Sequence, residues 1–351
     1  MKKWLNKVVR AEPEILDRSK YLRLDKNERV IKFETRFVNF LKKNINSYHL
    51  SSYPNTYKIK NLLSKKINQN KKNIFFSAGS DLSLKTCFEL FTRNKDKVII
   101  LDPTFGMVNV YCNIYNLKPI KISYNQKLEL DYKKLIKKIS KKVSLIVLAN
   151  PNSPTGTIIS EKRMLKIIQK ANKLAIPLVI DEAYEGFFSK SYLNYVNKYK
   201  NLIITRTFSK SFGLAGLRAG YAVANYKTIS LMNKYRPMYE INSISCLAIE
   251  FLLKNYSIVK KHVQDVKNSK KYLINELIKS KISYIDTFAN FFHIKTGKNS
   301  KYLERKFKKK GILFRKGPGV KGFESYSRFS LGSKSQMTKV LNLVKNLHGK
   351  Y

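Results

Sequence analysis

The stretch Thr205–Tyr221, TRTFSKSFGLAGLRAGY, decides how the rest of the chain is read. It follows a short apolar run, Leu202-Ile203-Ile204, and carries one lysine, Lys210, between two serines, with Arg218 further along. Glycines at 213, 216 and 220 keep the backbone slim. On its own the stretch fits two readings. A lysine between serines is an ordinary surface charge in a lysine-rich chain, and glycine-rich turns commonly serve packing alone. A lysine in an apolar, glycine-lined turn is also how a fold presents an amine for Schiff-base chemistry, its pKa lowered by partial burial. The surroundings have to choose.

Outward from this stretch, strands and helices alternate. Upstream, Asn73–Ala78 reads as a strand, Gly79-Ser80-Asp81 as a turn and Leu82–Arg93 as a helix that Ser80 or Asp81 would cap. Lys97–Leu101 is a strand ending in DPTFG, Thr104–Asn116 a helix, Pro119–Ser123 a strand and Tyr132–Ser140 a basic helix. Ser144–Ala149 is a near-continuous apolar run, the mark of a strand buried on both faces, and it enters the turn NPNSPTG (150–156). Ser160–Leu174 is a helix, Pro177–Ile180 a strand ending in DEAYEGF (181–187), Leu202–Thr205 the strand before the lysine and Ala219–Ala224 a further one. This spacing implies an α/β fold, a mostly parallel sheet with helices on both faces.

Ahead of that unit, 1–20 read as loose or helical and YLRLDKNER (21–29) as an extended piece ending in a polar turn. Val30–Asn44 has helical spacing, SSYPNTY (51–57) is a proline turn and Lys58–Asn70 an amphipathic helix. From Ile241 the pattern changes. A long helical stretch, Ile241–Lys279, precedes a strand at Asn290–Ile294, a helix at Ser300–Lys309 and a strand at Ile312–Arg315. After KGPGVKG come a strand at Ser327–Ser330 and a closing helix, Lys334–Leu347. The expected division is a large domain over 31–254 and a smaller α+β domain from 1–30 and 255–351.

Composition narrows the class. A 43% hydrophobic content in 351 residues suits a globular chain with a large core. No apolar run approaches the ~20 residues of a membrane span, and no apolar segment follows the N-terminal lysines as a secretory signal requires. Three scattered cysteines point to buried thiols in a reducing cytoplasm, and the four histidines show no metal-ligand spacing. The net charge of +47 would attract polyanions, but it is mostly lysine spread among Asn and Ile, as in KNLLSKKINQNKKN (60–73). That mixture reads as compositional bias coating ordinary helices, so nucleic acid is not the expected partner.

In an open parallel sheet, ligands bind outside the carboxyl ends of the strands. The notable turns all fall there: Gly79–Asp81, Pro103–Phe105, Asn150–Gly156, Asp181–Tyr184 and Ser209-Lys210. Together they offer an amine, a carboxylate, a phenol, an aromatic face and a phosphate cradle with Arg218 beside it. That set suits an aromatic phosphorylated aldehyde. No G-x-G-x-x-G follows a first strand and no G-x-x-x-x-G-K-[ST] occurs, which sets aside dinucleotide and P-loop readings.

NPNSPTG, DEAYEGF and TFSKSFGLAGLRAGY, in this order, resemble the fold-type I pyridoxal-phosphate enzymes of the class I/II aminotransferases. LRLDKNE, SSYPN, SAGSD, DPTFGM and SRFSLG make the chain most similar to the histidinol-phosphate aminotransferase family within that group. The resemblance runs from about residue 22 to the C-terminus. It implies pyridoxal 5'-phosphate on a seven-stranded-type sheet, with small amino-acid and oxo-acid substrates and a homodimer. Lys210 would hold the cofactor and move the proton, Asp181 would pair with the ring nitrogen and Tyr184 would bond the ring oxygen. Phe105, where the family usually has Tyr, would stack on the ring. Backbone N–H groups of Ser80 and Asp81, with Ser209 and Arg218, would hold the phosphate, joined by Tyr53 from the neighbouring subunit. Arg328 would clamp the substrate carboxylate, Arg315 its phosphate, and Asn27 belongs with the substrate-binding residues.

Two departures from the family pattern stand out. Ser153 replaces the asparagine that meets the ring oxygen, which makes Asn152 the substitute candidate, and the lead into LDKNE is short. Transamination from an amino acid such as glutamate is the leading reaction. The alternatives are a decarboxylase resembling the threonine-phosphate enzyme, an aminotransferase of surface-sugar or phosphonate assembly, and a nucleic-acid binder on a relic fold.

Overall fold

The computed structural model describes residues 3–9, 17–297 and 301–348. The reading of 1–20 as loose or helical, the Ser300 start of a helix and the last three residues of the second segment lie wholly or partly outside that range. Thirteen strands occur among the described residues. β1 is Leu22–Arg23, β2 Ile74–Ser77, β3 Lys97–Asp102, β4 Lys118–Ser123, β5 Val143–Ala149, β6 Leu178–Asp181, β7 Leu202–Thr207 and β8 Gly220–Val223. Then come β9 (Tyr284–Ile285), β10 (Phe291–Lys295), β11 (Ile312–Leu313), β12 (Arg315–Lys316) and β13 (Tyr326–Ser330).

Seven of them form one sheet in the order β2-β8-β7-β6-β5-β3-β4. All its pairings are parallel except those of β8, which runs against both neighbours. β2 therefore points the same way as β7, and the ends of β2, β3, β5, β6 and β7 share one edge.

The alternation along each strand divides two apolar layers. Ile99, Ile146, Ile180 and Ile204 face one layer, built with Met164, Ile167 and Ile168 of the helix Glu161–Lys173. Val98, Val147, Val179 and Ile203 face the other, built with Leu84, Cys87 and Phe88 of the helix Gly79–Phe91. A sheet covered on both faces removes strand carbonyls and amides from water except at its ends, so polar chemistry concentrates there.

A third apolar cluster joins the long helix Tyr256–Lys279, the closing helix Lys334–His348 and the antiparallel sheet β12-β13-β10-β9. Leu24 belongs to it, and β1 pairs with β11, so the N-terminal segment folds with the C-terminal region. We propose the division between domains along these clusters.

Several boundaries differ from the sequence reading. The helix expected from Val30 begins at Thr35, because Arg29 draws the carbonyls of Ile31 and Lys32 to its guanidinium, 2.9 and 3.1 Å away. The stretch Ile241–Lys279 is two helices, Ser243–Lys254 and Tyr256–Lys279, broken at Asn255, whose amide bonds the Phe251 carbonyl. A helix at Tyr226–Tyr235 escaped the sequence reading; only Ile229 and Met232 of it are buried.

Candidate active site

The sheet edge acquires its groups from strand ends. Asp181 is the last residue of β6 and is paired in register with Thr205 of β7. The Thr205 hydroxyl donates to Asp181 Oδ1 at 2.8 Å. Burial pushes the Asp181 carboxyl up to about 7, with the Thr205 bond opposing the shift and the Asp81 and Glu182 charges reinforcing it. A carboxylate held this dry lacks a cation. Glu182, its neighbour in sequence, is an anchor instead. It accepts from Arg206 Nε and Nη2 at 3.0 and 2.8 Å and from the Tyr192 N–H at 2.7 Å. Breaking a buried pair leaves one charge unpaired, so Glu182→Gln is expected to lower stability by about 3 kcal/mol or more, read as the shift of a urea midpoint.

Lys210 follows β7 and is half-buried. Its Nζ donates to the carbonyls of Asn27 and Lys26 at 2.9 and 3.1 Å and lies 5.9 Å from the centre of the Tyr184 ring. Burial, then the Arg328 guanidinium and that of Arg218, bring its amine down to about 8. Tyr184 is buried, and its hydroxyl accepts from Asn27 Nδ2 at 2.8 Å.

The expected turn at 79–81 is the first turn of the helix Gly79–Phe91, and neither Ser80 nor Asp81 caps it. Asp81 accepts instead from the Tyr111 hydroxyl at 2.7 Å. The opening N–H groups of a helix have no partner within it and sit at the positive end of its dipole. Arg218, with φ at +49°, lays its guanidinium over that end, so that a Cβ on Gly79 would lie 3.0 Å from Nη2. A Cβ on Gly220 would stand 2.4 Å from the Ser80 nitrogen, so only glycine lets β8 pass this close. A guanidinium set against a helix N-terminus is repulsive unless an anion lies between them, and a phosphate fits that place. Ser209 is buried close by in sequence, its N–H bonded to Thr207 Oγ1 at 3.1 Å.

Other expected residues fall in three settings. Phe105 is 37% exposed and directly precedes the helix Gly106–Ile114. Asn152 ties its own loop to the turn Pro103-Thr104. It accepts from the Thr104 hydroxyl at 3.0 Å and donates to the Pro103 carbonyl and Thr155 Oγ1, both at 2.9 Å. An amide with these bonds holds the loop and does not stand free for a ring oxygen. Ser153 is the residue that faces the site, 3.5 Å from Arg328 Nη1.

Arg328 on β13 donates to the Asp25 carbonyl at 2.9 Å, and Arg315 on β12 is its cross-strand neighbour. Both line a cleft of about 650 Å³. Tyr53 is exposed and stacks on Tyr239, ring centres 4.1 Å apart. Asn27, in the left-handed region with φ at +55°, stands at the centre, accepting Lys210 on its carbonyl and donating to Tyr184. Sequence reasoning missed Ser330, which accepts from the Asn27 N–H at 2.9 Å, and Asn290, which donates to the Asn27 carbonyl at 3.1 Å. SRFSLG pointed to the first; nothing in sequence pointed to the second.

The architecture is that of the fold-type I enzymes, and the dry carboxylate, low-pKa amine and anion cradle suit pyridoxal 5'-phosphate. Residues 4–344 match the family Aminotransferase class I and II. A histidinol-phosphate aminotransferase of Caldanaerobacter subterraneus is 30% identical over 330 residues, 93% of this chain and 92% of that protein. One from Buchnera aphidicola is 35% identical over 285 residues, 79% of each. The solved structure of the Sinorhizobium meliloti histidinol-phosphate aminotransferase in complex with pyridoxal-5'-phosphate has a TM-score of 0.88 at 21% identity, covering 100% of this chain and 98% of that one. The chain belongs to the class I and II aminotransferases and is a pyridoxal-phosphate-dependent transaminase. The decarboxylase alternative is not favoured. Among the described residues, no helix is long and apolar enough to cross a membrane.

Proposed function

We propose that the protein exchanges an amino group between glutamate and the oxo form of histidinol phosphate. The observation that carries this is the pair Arg328 and Arg315, cross-strand neighbours on one cleft, where one would take a carboxylate and the other a phosphate monoester. The names of its relatives at 30–35% identity support the same substrate. Purified protein with pyridoxal phosphate, histidinol phosphate and 2-oxoglutarate is expected to form glutamate. No glutamate, while another amine donor turns over, would remove this substrate.

Bound pyridoxal phosphate supplies an aromatic ring that draws off the negative charge developing at the substrate's Cα. The residues around it do the rest. Lys210 Nζ would take the proton from Cα and carry it across the amino nitrogen in the 1,3-shift, work for which an amine brought down to about 8 is well matched at neutral pH. Asp181 would be ionised beside a cationic ring nitrogen and would keep that nitrogen protonated. Tyr184, steadied by Asn27, and Ser153 would meet the ring oxygen, and Phe105 would cover one face and keep water from it. The N–H groups of Ser80 and Asp81, with Ser209 and Arg218, would hold the phosphate.

Arg328 presents two N–H donors to the substrate carboxylate. Arg328→Lys replaces a fork by a point charge and is expected to raise KM for glutamate by about 100-fold, the loss of one charge-assisted bond of about 2–3 kcal/mol, with a smaller change in kcat. Steady-state kinetics at varied glutamate check it.

The working form is a homodimer in the cytoplasm. Supporting the first, Tyr48, Tyr53, Tyr57, Tyr235 and Tyr239 are all exposed on two adjacent segments, bridged by the Ser243 hydroxyl on the Ser52 carbonyl at 3.0 Å. Tyr53 would reach the partner's phosphate site from there. Supporting the second, the three cysteines are free thiols.

A further inference from the structure

The segment Asp25–Arg29 touches more of the site than a surface turn has reason to. The Asp25 carbonyl takes Arg328, the Lys26 and Asn27 carbonyls take Lys210, and the Asn27 amide takes Tyr184. Ser330 and Asn290 grip Asn27 through its N–H and its carbonyl. Arg29 lies along Gly213 of the lysine loop, so closely that a Cβ there would come 2.3 Å from its Cδ. Two consecutive carbonyls can converge on one amine only where the backbone turns sharply, and the left-handed φ of +55° at Asn27 makes that turn. Asparagine adopts this conformation more readily than other residues with a Cβ.

We propose that the left-handed turn at Asn27 is a docking station for the Lys210 amine. The carbonyls of Lys26 and Asn27 hold Nζ, aimed at the ring site, whenever it is not covalently engaged. Asn27 is thereby a positioning residue for the lysine through its backbone and for Tyr184 through its amide, in place of the substrate contact expected from sequence. The inference rests on the assignment of Lys210 as the reacting lysine. It adds that the lysine's free state is an ordered one.

The same geometry has an electrostatic consequence. Lys210 sits among Arg328 and Arg218, which disfavour its charged form, and Glu28 and Asp181, which favour it. Carbonyl acceptors favour the ammonium, so they limit how far the amine's pKa falls. Losing the turn removes that support.

The test compares Asn27→Gly with Asn27→Val in the full-length protein, cofactor-free and again loaded with pyridoxamine phosphate, a form that leaves the lysine free. Both variants lose the side-chain amide. Only glycine keeps the left-handed turn without strain. Acetic anhydride labelling of Lys210 as a function of pH, read by mass spectrometry, gives the apparent pKa of the amine. The glycine variant is expected to titrate with the wild type, and the valine variant about one unit lower. If valine fails to fold, alanine replaces it, with a smaller shift in the same direction. Equal displacement of both variants would assign the effect to the lost amide and overturn the proposal. No displacement in either would show that the carbonyls do not hold the amine, and would equally overturn it. Whether Lys210 bonds the cofactor at all is read separately, from the visible absorbance of the wild-type protein with pyridoxal phosphate.

Discussion

Lys210→Ala is expected to lower kcat/KM for transamination by about 10⁴-fold or more, since positioned proton transfer alone contributes 10²–10⁴ and the covalent hold on the cofactor adds to it. The ground for so large an effect is placement. The amine leaves β7 at the sheet edge where Asp181 ends β6, is fixed by two carbonyls, and is brought down to about 8 by burial and by Arg328. Alanine keeps the turn and removes the group that moves the proton. The visible absorbance acquired with pyridoxal phosphate should change as well, because the ring then meets no lysine. Turnover within tenfold of wild type would mean that another group moves the proton.

Asp181→Asn is expected to cut kcat by about 10²–10³-fold, the scale of removing one preorganised electrostatic partner, and yet to stabilise the cofactor-free protein at neutral pH. The sign follows from the carboxyl's rise from 3.8 to about 7 on folding. A group that binds its proton more tightly when folded favours the fold at low pH, and that favour is lost as pH rises to about 7. Across this window the ionised, buried carboxylate costs about 4 kcal/mol. Asparagine keeps a hydrogen bond to Thr205 and carries no charge. Its cofactor-free stability should therefore equal or trail the wild type's near pH 4 and exceed it by a few kcal/mol at pH 8, measured by urea unfolding. With saturating cofactor the order should reverse, because the wild type binds the cofactor more tightly and ligand binding adds stability by mass action. An asparagine variant that turns over normally would separate Asp181 from the ring nitrogen. One that is no more stable at pH 8 would mean that its carboxyl is not desolvated.

Much of the sheet was legible because its physics is periodic. Runs such as Leu145–Ala149 and Leu178–Ile180 are apolar at every position, as a strand covered on both faces requires, and their polar ends sit where Asn150 and Asp181 stand. What escaped was set by contacts remote in sequence. The residues from Val30 to Glu34 have helical spacing, but Arg29 takes the carbonyls of Ile31 and Lys32. Gly79–Asp81 looks like a turn, whereas the helix begins there and leaves its N–H groups for a ligand.

The same limit applies at the site. Residue types named Lys210, Asp181, Tyr184 and Arg218, whose chemistry is written in their side chains. Asn152 and Asn27 have identical side chains, and only the fold shows that one ties its loop to the turn Pro103-Thr104 while the other turns the backbone under the lysine. Backbone carbonyls carry no mark in sequence, so the grip of Lys26 and Asn27 on Nζ was invisible there.

The central claim is that Lys210 is the residue that carries pyridoxal phosphate. Incubating the full-length protein with pyridoxal phosphate, reducing it with borohydride and mapping the peptides by mass spectrometry tests that directly. The cofactor's mass is expected on the peptide containing Ser209-Lys210-Ser211 and nowhere else in comparable yield. Its absence from that peptide, or its appearance on another lysine with Lys210 unmodified, would contradict the account.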